Sequence, residues 1–275
     1  MNPRHRTPRP LAALAAALAC AGLLPSAQAA VSPSGGPDLA GRFTDIAYGS
    51  SGNVFELVPQ LFITGLGSAG SPSSVTALNP ALDYSVQLGG VGTGLMTIDY
   101  RITNKSMSES FSQLRFMVFA NPDGQQTDFL DRASESWGAA LPGEAARREV
   151  HAFTSDPFNS ILGRFSANAN LTDGAPDAAC LAPGGCDAVM GLQWNTATLG
   201  PNERLTLRLA LSDDGQSISG RSLSFAGVGA GGSSLTVSGL ATVAAVPEPS
   251  TWAMALAGLV AVGSLARRRS AASRG

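Results

Sequence analysis

Between Arg204 and Ser212 the chain alternates without a break. Leu205, Leu207, Leu209 and Leu211 fall on one side of an extended backbone, and Thr206, Arg208, Ala210 and Ser212 fall on the other. Only a strand repeats its side chains every second residue, so this segment cannot gather its leucines on one face as a helix. The same pattern recurs in Met96, Ile98, Tyr100 and Ile102 against Thr97, Asp99, Arg101 and Thr103, and again in Ala188, Met190, Leu192 and Trp194. Each reads as a half-buried strand with one solvated face. Further strands are expected at Phe43 to Tyr48, Val54 to Ile63, Leu82 to Leu88, Phe111 to Phe119, Arg221 to Val228 and Ser234 to Val243. Gly89-Gly90, Asn121-Pro122-Asp123-Gly124 and Asp213-Asp214-Gly215 punctuate them as turns. Many short strands with frequent turns predict an all-β chain built as an antiparallel β-sandwich.

One short helix is expected in the middle. Asp156 suits its cap and Pro157 its first position, while Phe158, Ile161, Leu162 and Phe165 form one apolar stripe. Gly163 weakens it by roughly 1 kcal/mol relative to Ala. The helix is expected to cover an open end or edge of the sandwich, within an otherwise loop-rich stretch from 120 to 187 that is the natural place for binding.

Both ends of the chain read as addresses. Arg4, Arg6 and Arg9 precede an apolar run from Leu11 to Leu24, and Ala27-Gln28-Ala29 has the small-x-small form of a signal-peptidase site, so a signal helix cleaved after Ala29 is expected. Cys20 raises a lipoprotein alternative, but Leu18 is poorly placed for one and apolar sequence continues past the cysteine. At the other end Pro247-Glu248-Pro249 is followed by an uncharged run from Trp252 to Ala266 and then by Arg267, Arg268 and Arg269. Fifteen residues span ~22 Å as a helix against a hydrocarbon core of ~30 Å, so the segment is a marginal transmembrane helix that needs local thinning or arginine snorkelling. The arginines should stay cytoplasmic, leaving the bulk of the chain outside.

This tail resembles the PEP-CTERM sorting signal of Gram-negative bacteria that secrete exopolysaccharide. The resemblance rests on Pro247, Glu248 and Pro249, then Trp252, the apolar run and the triple arginine, in that order. It implies transient anchoring in the inner membrane and cutting near the triplet by an exosortase, a transpeptidase-like membrane enzyme. Two further segments, Thr93 to Ser106 and Leu199 to Asp214, resemble strands of bacterial Ig-like or fibronectin-like modules at the level of pattern.

The resulting organisation is a signal peptide at 1–29, a secreted domain at 30–245, a sorting signal at 246–270 with its transmembrane helix at 252–266, and a cytoplasmic tail at 271–275. Seven of the 18 basic residues lie in the two signals and the tail at 271–275 but only Glu248 of the 20 acids does, so the exported part carries 11 − 19 = −8. That surplus disfavours nucleic acid and anionic lipid as partners and favours solubility and weak divalent-cation contacts. Cys180 and Cys186 flank a turn-forming Leu-Ala-Pro-Gly-Gly and are expected to form a disulfide in an oxidising compartment.

Signals for chemistry are few. The exported part has a single histidine, His151, after the charged stretch Glu144 to Val150, which reads as a solvated helix face. No G-x-S-x-G elbow occurs. Gly65-Leu66-Gly67-Ser68-Ala69-Gly70 has dinucleotide-loop spacing but is followed by Ser71-Pro72-Ser73-Ser74, and it reads as a flexible loop. Asp123, Asp128 and Asp131, or Asp213 and Asp214, could gather round a hard cation, yet neither group follows a known ligand spacing and both read as solvated turn acids. Trp194 reads as core and Trp137 as a possible carbohydrate contact. No cofactor, metal site or catalytic residue is expected. The reading is a non-enzymatic surface or exopolysaccharide-matrix protein, structural or adhesive, whose partners are signal peptidase, an exosortase-type enzyme, the inner membrane in transit and extracellular polysaccharide. A carbohydrate-binding module and a secreted hydrolase are the alternatives.

Overall fold

In the computed structural model, which describes residues 30–38, 41–69, 72–153, 158–246, 254 and 256–262, the alternating segments are strands of two antiparallel sheets. The first sheet holds β1 (Val31–Pro33), β2 (Ile46–Tyr48), β3 (Gly52–Ile63), β4 (Gly67–Ala69), β7 (Phe111–Asp123), β9 (Arg147–Ala152) and β10 (Ala188–Leu199). Their order is β1-β2-β3-β7-β10-β9, with β4 also paired to β3. The second holds β5 (Leu82–Gly89), β6 (Leu95–Asn104), β8 (Asp131–Ser136), β11 (Glu203–Ser212), β12 (Ser222–Gly227) and β13 (Ser234–Ala245), in the order β5-β6-β11-β13-β12-β8. The two segments with module-like pattern are neighbours here, Arg204 pairing with Thr103 and Leu211 with Met96. The thirteen strands among the described residues exceed the seven to nine of the immunoglobulin plan.

Alternation sets the core. Leu205, Leu207, Leu209 and Leu211 are buried against the other sheet, together with Met96, Ile98, Tyr100 and Ile102. Tyr100 of β6 meets Phe116 of β7 across the sandwich with ring centroids 5.2 Å apart. Trp194 of β10 reaches the opposite sheet and donates its indole N–H to the Gly239 carbonyl at 3.4 Å. A β-carbon on Gly239 would stand 2.6 Å from the indole ring, so glycine there makes room for tryptophan. Gly124 and Gly227 touch backbone to backbone where the sheets meet, which no larger residue permits.

β7 and β10 depart from simple alternation because both their faces are covered. Met117, Phe119 and Val189 point away from the main core and are buried by Ile161, Phe165 and Leu171. The expected helix forms as a π-helical turn, Phe158–Leu162, running into α2 (Gly163–Ser166). It lies on the outer face of the first sheet and not at an open end or edge, because that face carries the second apolar cluster. The proposed cap, Asp156, and Pro157 lie outside the described residues.

Three elements correct the sequence reading. Residues 120–187 contain β8, β9 and α3 (Ala178–Leu181) besides that helical turn. From Arg147 onward the charged stretch before His151 is strand β9, with Glu149 1% exposed, and not a solvated helix face. A helix, α1 (Pro72–Leu78), does follow the glycine loop. Because β4 pairs antiparallel with β3, the βαβ geometry of a dinucleotide loop is still missing.

β8 and β9 are the edge strands on one side of the sandwich. Arg148 of β9 closes that side with two hydrogen bonds to the Glu135 carboxylate of β8, at 2.8 and 2.7 Å, and a third contact to Asp173 at 3.0 Å. The described residues at the C-terminal end are helical at Met254 and from 256 to 262, and their large apolar side chains are exposed, Met254 and Val260 each at 73%. No helix among the described residues is long and apolar enough to cross a membrane.

Candidate functional site

A cleft of about 490 Å³ opens on the outer face of the first sheet, beside the helical turn. The end of β3 supplies Phe62 and the residue after it, Thr64; β7 supplies Gln113 and Arg115; β10 supplies Asn195; and the segment after α2 supplies Asn170. Cross-strand pairing puts Phe62 opposite Arg115 and Arg115 opposite Asn195, so three strands present one row. The guanidinium of Arg115 lies over the Phe62 ring at 4.5 Å, donates to Asn170 Oδ1 at 2.8 Å and also to the Asn168 carbonyl. Burial pulls Arg115 below its ordinary value, and no carboxylate pairs with it among the described residues. Gln193 donates to Asn170 Oδ1 and Asn195 Oδ1 at 2.9 and 2.8 Å, while its own carbonyl accepts from Leu171 N–H at 2.9 Å.

Segment 168–173 is a strap held to the sheet by charged side chains. Arg147 donates to the Leu171 carbonyl, and Glu149 Oε1 accepts from Thr172 N–H at 2.5 Å and lies 2.7 Å from Arg164. Burial alone would raise the Glu149 carboxyl, but the His151, Thr172 and Arg164 contacts overturn this and hold it at about 2. His151 sits between Glu149 at 3.7 Å and Asp177 at 3.2 Å, and the Glu149 contact leads in raising its affinity for a proton. This imidazole is therefore tied into the wall by two acids.

A second constellation lies at the opposite end of β7. Asp123 closes β7 and Asp131 opens β8, and both are buried, at 2% and 0% exposed. Asp131 Oδ1 accepts from Gly124 N–H at 2.9 Å, whereas Asp123 Oδ1, Asp131 Oδ2 and the Tyr48 hydroxyl have no hydrogen-bond partner among the described residues. Desolvation first, and the Asp131 charge second, push the Asp123 carboxyl up to about 8; desolvation likewise pushes Asp131 to about 7. A protonated carboxyl is what such an enclosure favours.

These two acids are buried, which corrects the reading of Asp123 and Asp131 as solvated turn acids; Asp128 is exposed and stands apart. Asp213 accepts from Gly49 N–H, and Asp214 is exposed with Ser212 and Gln216 as partners. No group of three or more His, Cys, Asp or Glu able to hold a metal occurs among the described residues. Cys180 and Cys186 are bonded, and Cys186 pairs with Asp131 through two backbone hydrogen bonds, so the small loop braces the buried acids. Opening it with Cys186→Ser is expected to cost on the order of 2 kcal/mol, read as a melting shift equal to that produced by reductant on the parent chain.

Trp137 is half-buried against the core, and the guanidinium groups of Arg148 and Arg221 lie 5.0 and 4.7 Å from its ring centre. A sugar stacking there would have to displace a guanidinium that already closes the sandwich edge. Trp194 is 2% exposed and belongs to the core. Ala27, Ala29, Pro247, Glu248, Pro249, Trp252, Arg267, Arg268 and Arg269 lie outside the described residues. The cleft residues were not singled out from the sequence. Phe62, Arg115, Asn170 and Asn195 come from four distant segments, and only the unpaired charge of Arg115 inside an apolar strand hinted at them.

Residues 245–270 match the family described as the PEP-CTERM protein-sorting motif. No curated protein and no solved structure matches the chain. The motif supports an exported, envelope-associated protein that an exosortase sorts to the cell surface.

Proposed function

We propose that this chain is exported by its N-terminal signal, cleaved after Ala29 and held in the inner membrane by residues 252–266 until an exosortase cuts near Pro247-Glu248-Pro249. The β-sandwich of residues 30–245 then serves at the cell surface or in the extracellular polysaccharide matrix in a non-catalytic, structural or adhesive role. The match of residues 245–270 to the sorting motif carries this reading. The apolar side chains of Met254, Leu256, Leu259, Val260 and Val262, all exposed among the described residues, support a bilayer as their destination. A non-catalytic role is supported by His151, the one imidazole of the exported part, being occupied by Glu149 and Asp177.

Intact-mass measurement of the protein recovered from its host tests the proposal. The expected chain begins at Ala30 and ends near the triplet; one that begins at Met1, or keeps its arginines in the cytosol, overturns it. Replacing Arg267, Arg268 and Arg269 with Glu is expected to impair retention and processing, because the positive-inside preference no longer fixes the helix. Carbohydrate binding remains the second reading, favoured by the polar cleft over Phe62 and Arg115 and no longer by Trp137. Turnover of glycans or esters by the purified chain would instead support the hydrolase alternative.

A further inference from the structure

Every amide oxygen on the wall of the Phe62–Arg115 cleft is already in use. Asn170 Oδ1 accepts from Arg115 and Gln193, Asn195 Oδ1 accepts from Gln193, and Gln113 Oε1 accepts from Thr64 Oγ1 at 3.1 Å. A side-chain amide bound through its oxygen turns its NH₂ group the other way. The nitrogens of Asn170, Asn195 and Gln113 have no acceptor among the described residues, and all three residues are exposed. Gln113 holds its place at φ 51, a left-handed conformation that a non-glycine residue adopts only under constraint from its surroundings.

Beneath these donors lies Arg115, 8% exposed, with its Nε buried and lacking an acceptor among the described residues. The cleft lining includes no acidic side chain. A buried charge without a counter-charge is costly, and outward N–H donors around it form a surface that seeks an anion. A singly charged carboxylate balances one guanidinium. A phosphate dianion would leave surplus negative charge on a domain that already carries −8. The volume suits one or two sugar rings, and the opening to solvent would let a chain run out at either side.

We propose that this cleft binds a uronic acid unit, with its carboxylate set over Arg115 and hydrogen-bonded by the side-chain NH₂ groups of Asn170, Asn195 and Gln113. The inference gives a ligand class to the adhesive role proposed above and rests on that role for its setting outside the cell.

Calorimetric titration of the full chain with glucuronate, a galacturonate trisaccharide, glucose and acetate tests it. Glucuronate and the trisaccharide are expected to bind saturably, and glucose and acetate far more weakly. Tighter binding of the trisaccharide assigns the cleft to a polymer, and equal binding assigns it to a free sugar acid; both support uronate recognition. Asn195→Asp, at an exposed position that should leave the melting temperature unchanged, is expected to weaken glucuronate by about tenfold or more, since it replaces a donor with a repelling charge. Gln113→Glu should act in the same direction and guards against a local fault in one variant. Equal binding of glucose or acetate, indifference to both substitutions, or no saturable heat overturns the proposal. Normal maturation without uronate binding removes this assignment alone, whereas uronate binding by a chain that is never exported removes the sorting reading alone.

Discussion

Between about pH 5 and about pH 9 the melting temperature of the sandwich is expected to fall by about 10 °C, and Asp123→Asn is expected to remove roughly half of that fall, the Asp131 share remaining. The cause is the buried pair at the junction of β7 and β8. Burial raises Asp123 from 3.8 to about 8 and Asp131 from 3.8 to about 7, so the fold favours their neutral forms. Their contribution is complete below the unfolded value of 3.8 and is lost as pH rises through about 7 and about 8. Asp187, also raised by burial, acts in the same direction. So does His151, whose raised affinity for a proton is lost at the upper end, and its share should persist in Asp123→Asn. Glu149, at about 2, and Asp99, lowered first by its Arg208 hydrogen bond, have the opposite sign and lose their contribution only at acid pH. A parent chain whose melting temperature rises toward pH 9 would show that the acids are ionised and stabilised by something other than a proton.

The second large effect is expected at the indole between the sheets. Trp194→Ala should cost about 3 to 5 kcal/mol, because it empties a fully packed position and removes the bond to Gly239. Gly239→Ala should also destabilise, its methyl meeting the indole at 2.6 Å and the Arg208 carbonyl at 3.0 Å. The two should not add. With the indole gone most of the clash is gone, so Gly239→Ala should cost much less in the Trp194→Ala background, and denaturant unfolding of all four chains measures that coupling. Strict additivity would mean that the two residues do not share the space between the sheets.

Much of the architecture was legible where a strand buries only one face. β6 and the first half of β11 follow the alternation of Met96 to Ile102 and of Leu205 to Leu209. Legibility failed where a second layer covers the outer face: Phe116 to Ala120 is an unbroken apolar run, the usual mark of a doubly covered strand. It also failed where charge is buried. Arg148 and Glu149 read as solvent-facing because nothing nearby in the sequence announces Glu135, Asp173 or Arg164 as their partners. The acids misled for the converse reason, since Asp123 follows the turn residues Asn121 and Pro122 yet is buried, as is Asp131. The cleft depends on cross-strand register, which no local pattern encodes.

The last strand has a consequence for the timing of maturation. β13 lies between β11 and β12, not at an edge, and it remains paired as far as Ala245, with Val246 N–H bound to the Asn202 carbonyl at 2.7 Å. Pro247 is the next residue. On the proposed route of export the second sheet would stay split until β13 has followed the other strands, and the matched sorting motif begins where the pairing of β13 stops. A protease that grips its substrate as an extended peptide on both sides of the cut would have to peel back the end of β13, so the strength of that last stretch of pairing becomes a brake on release.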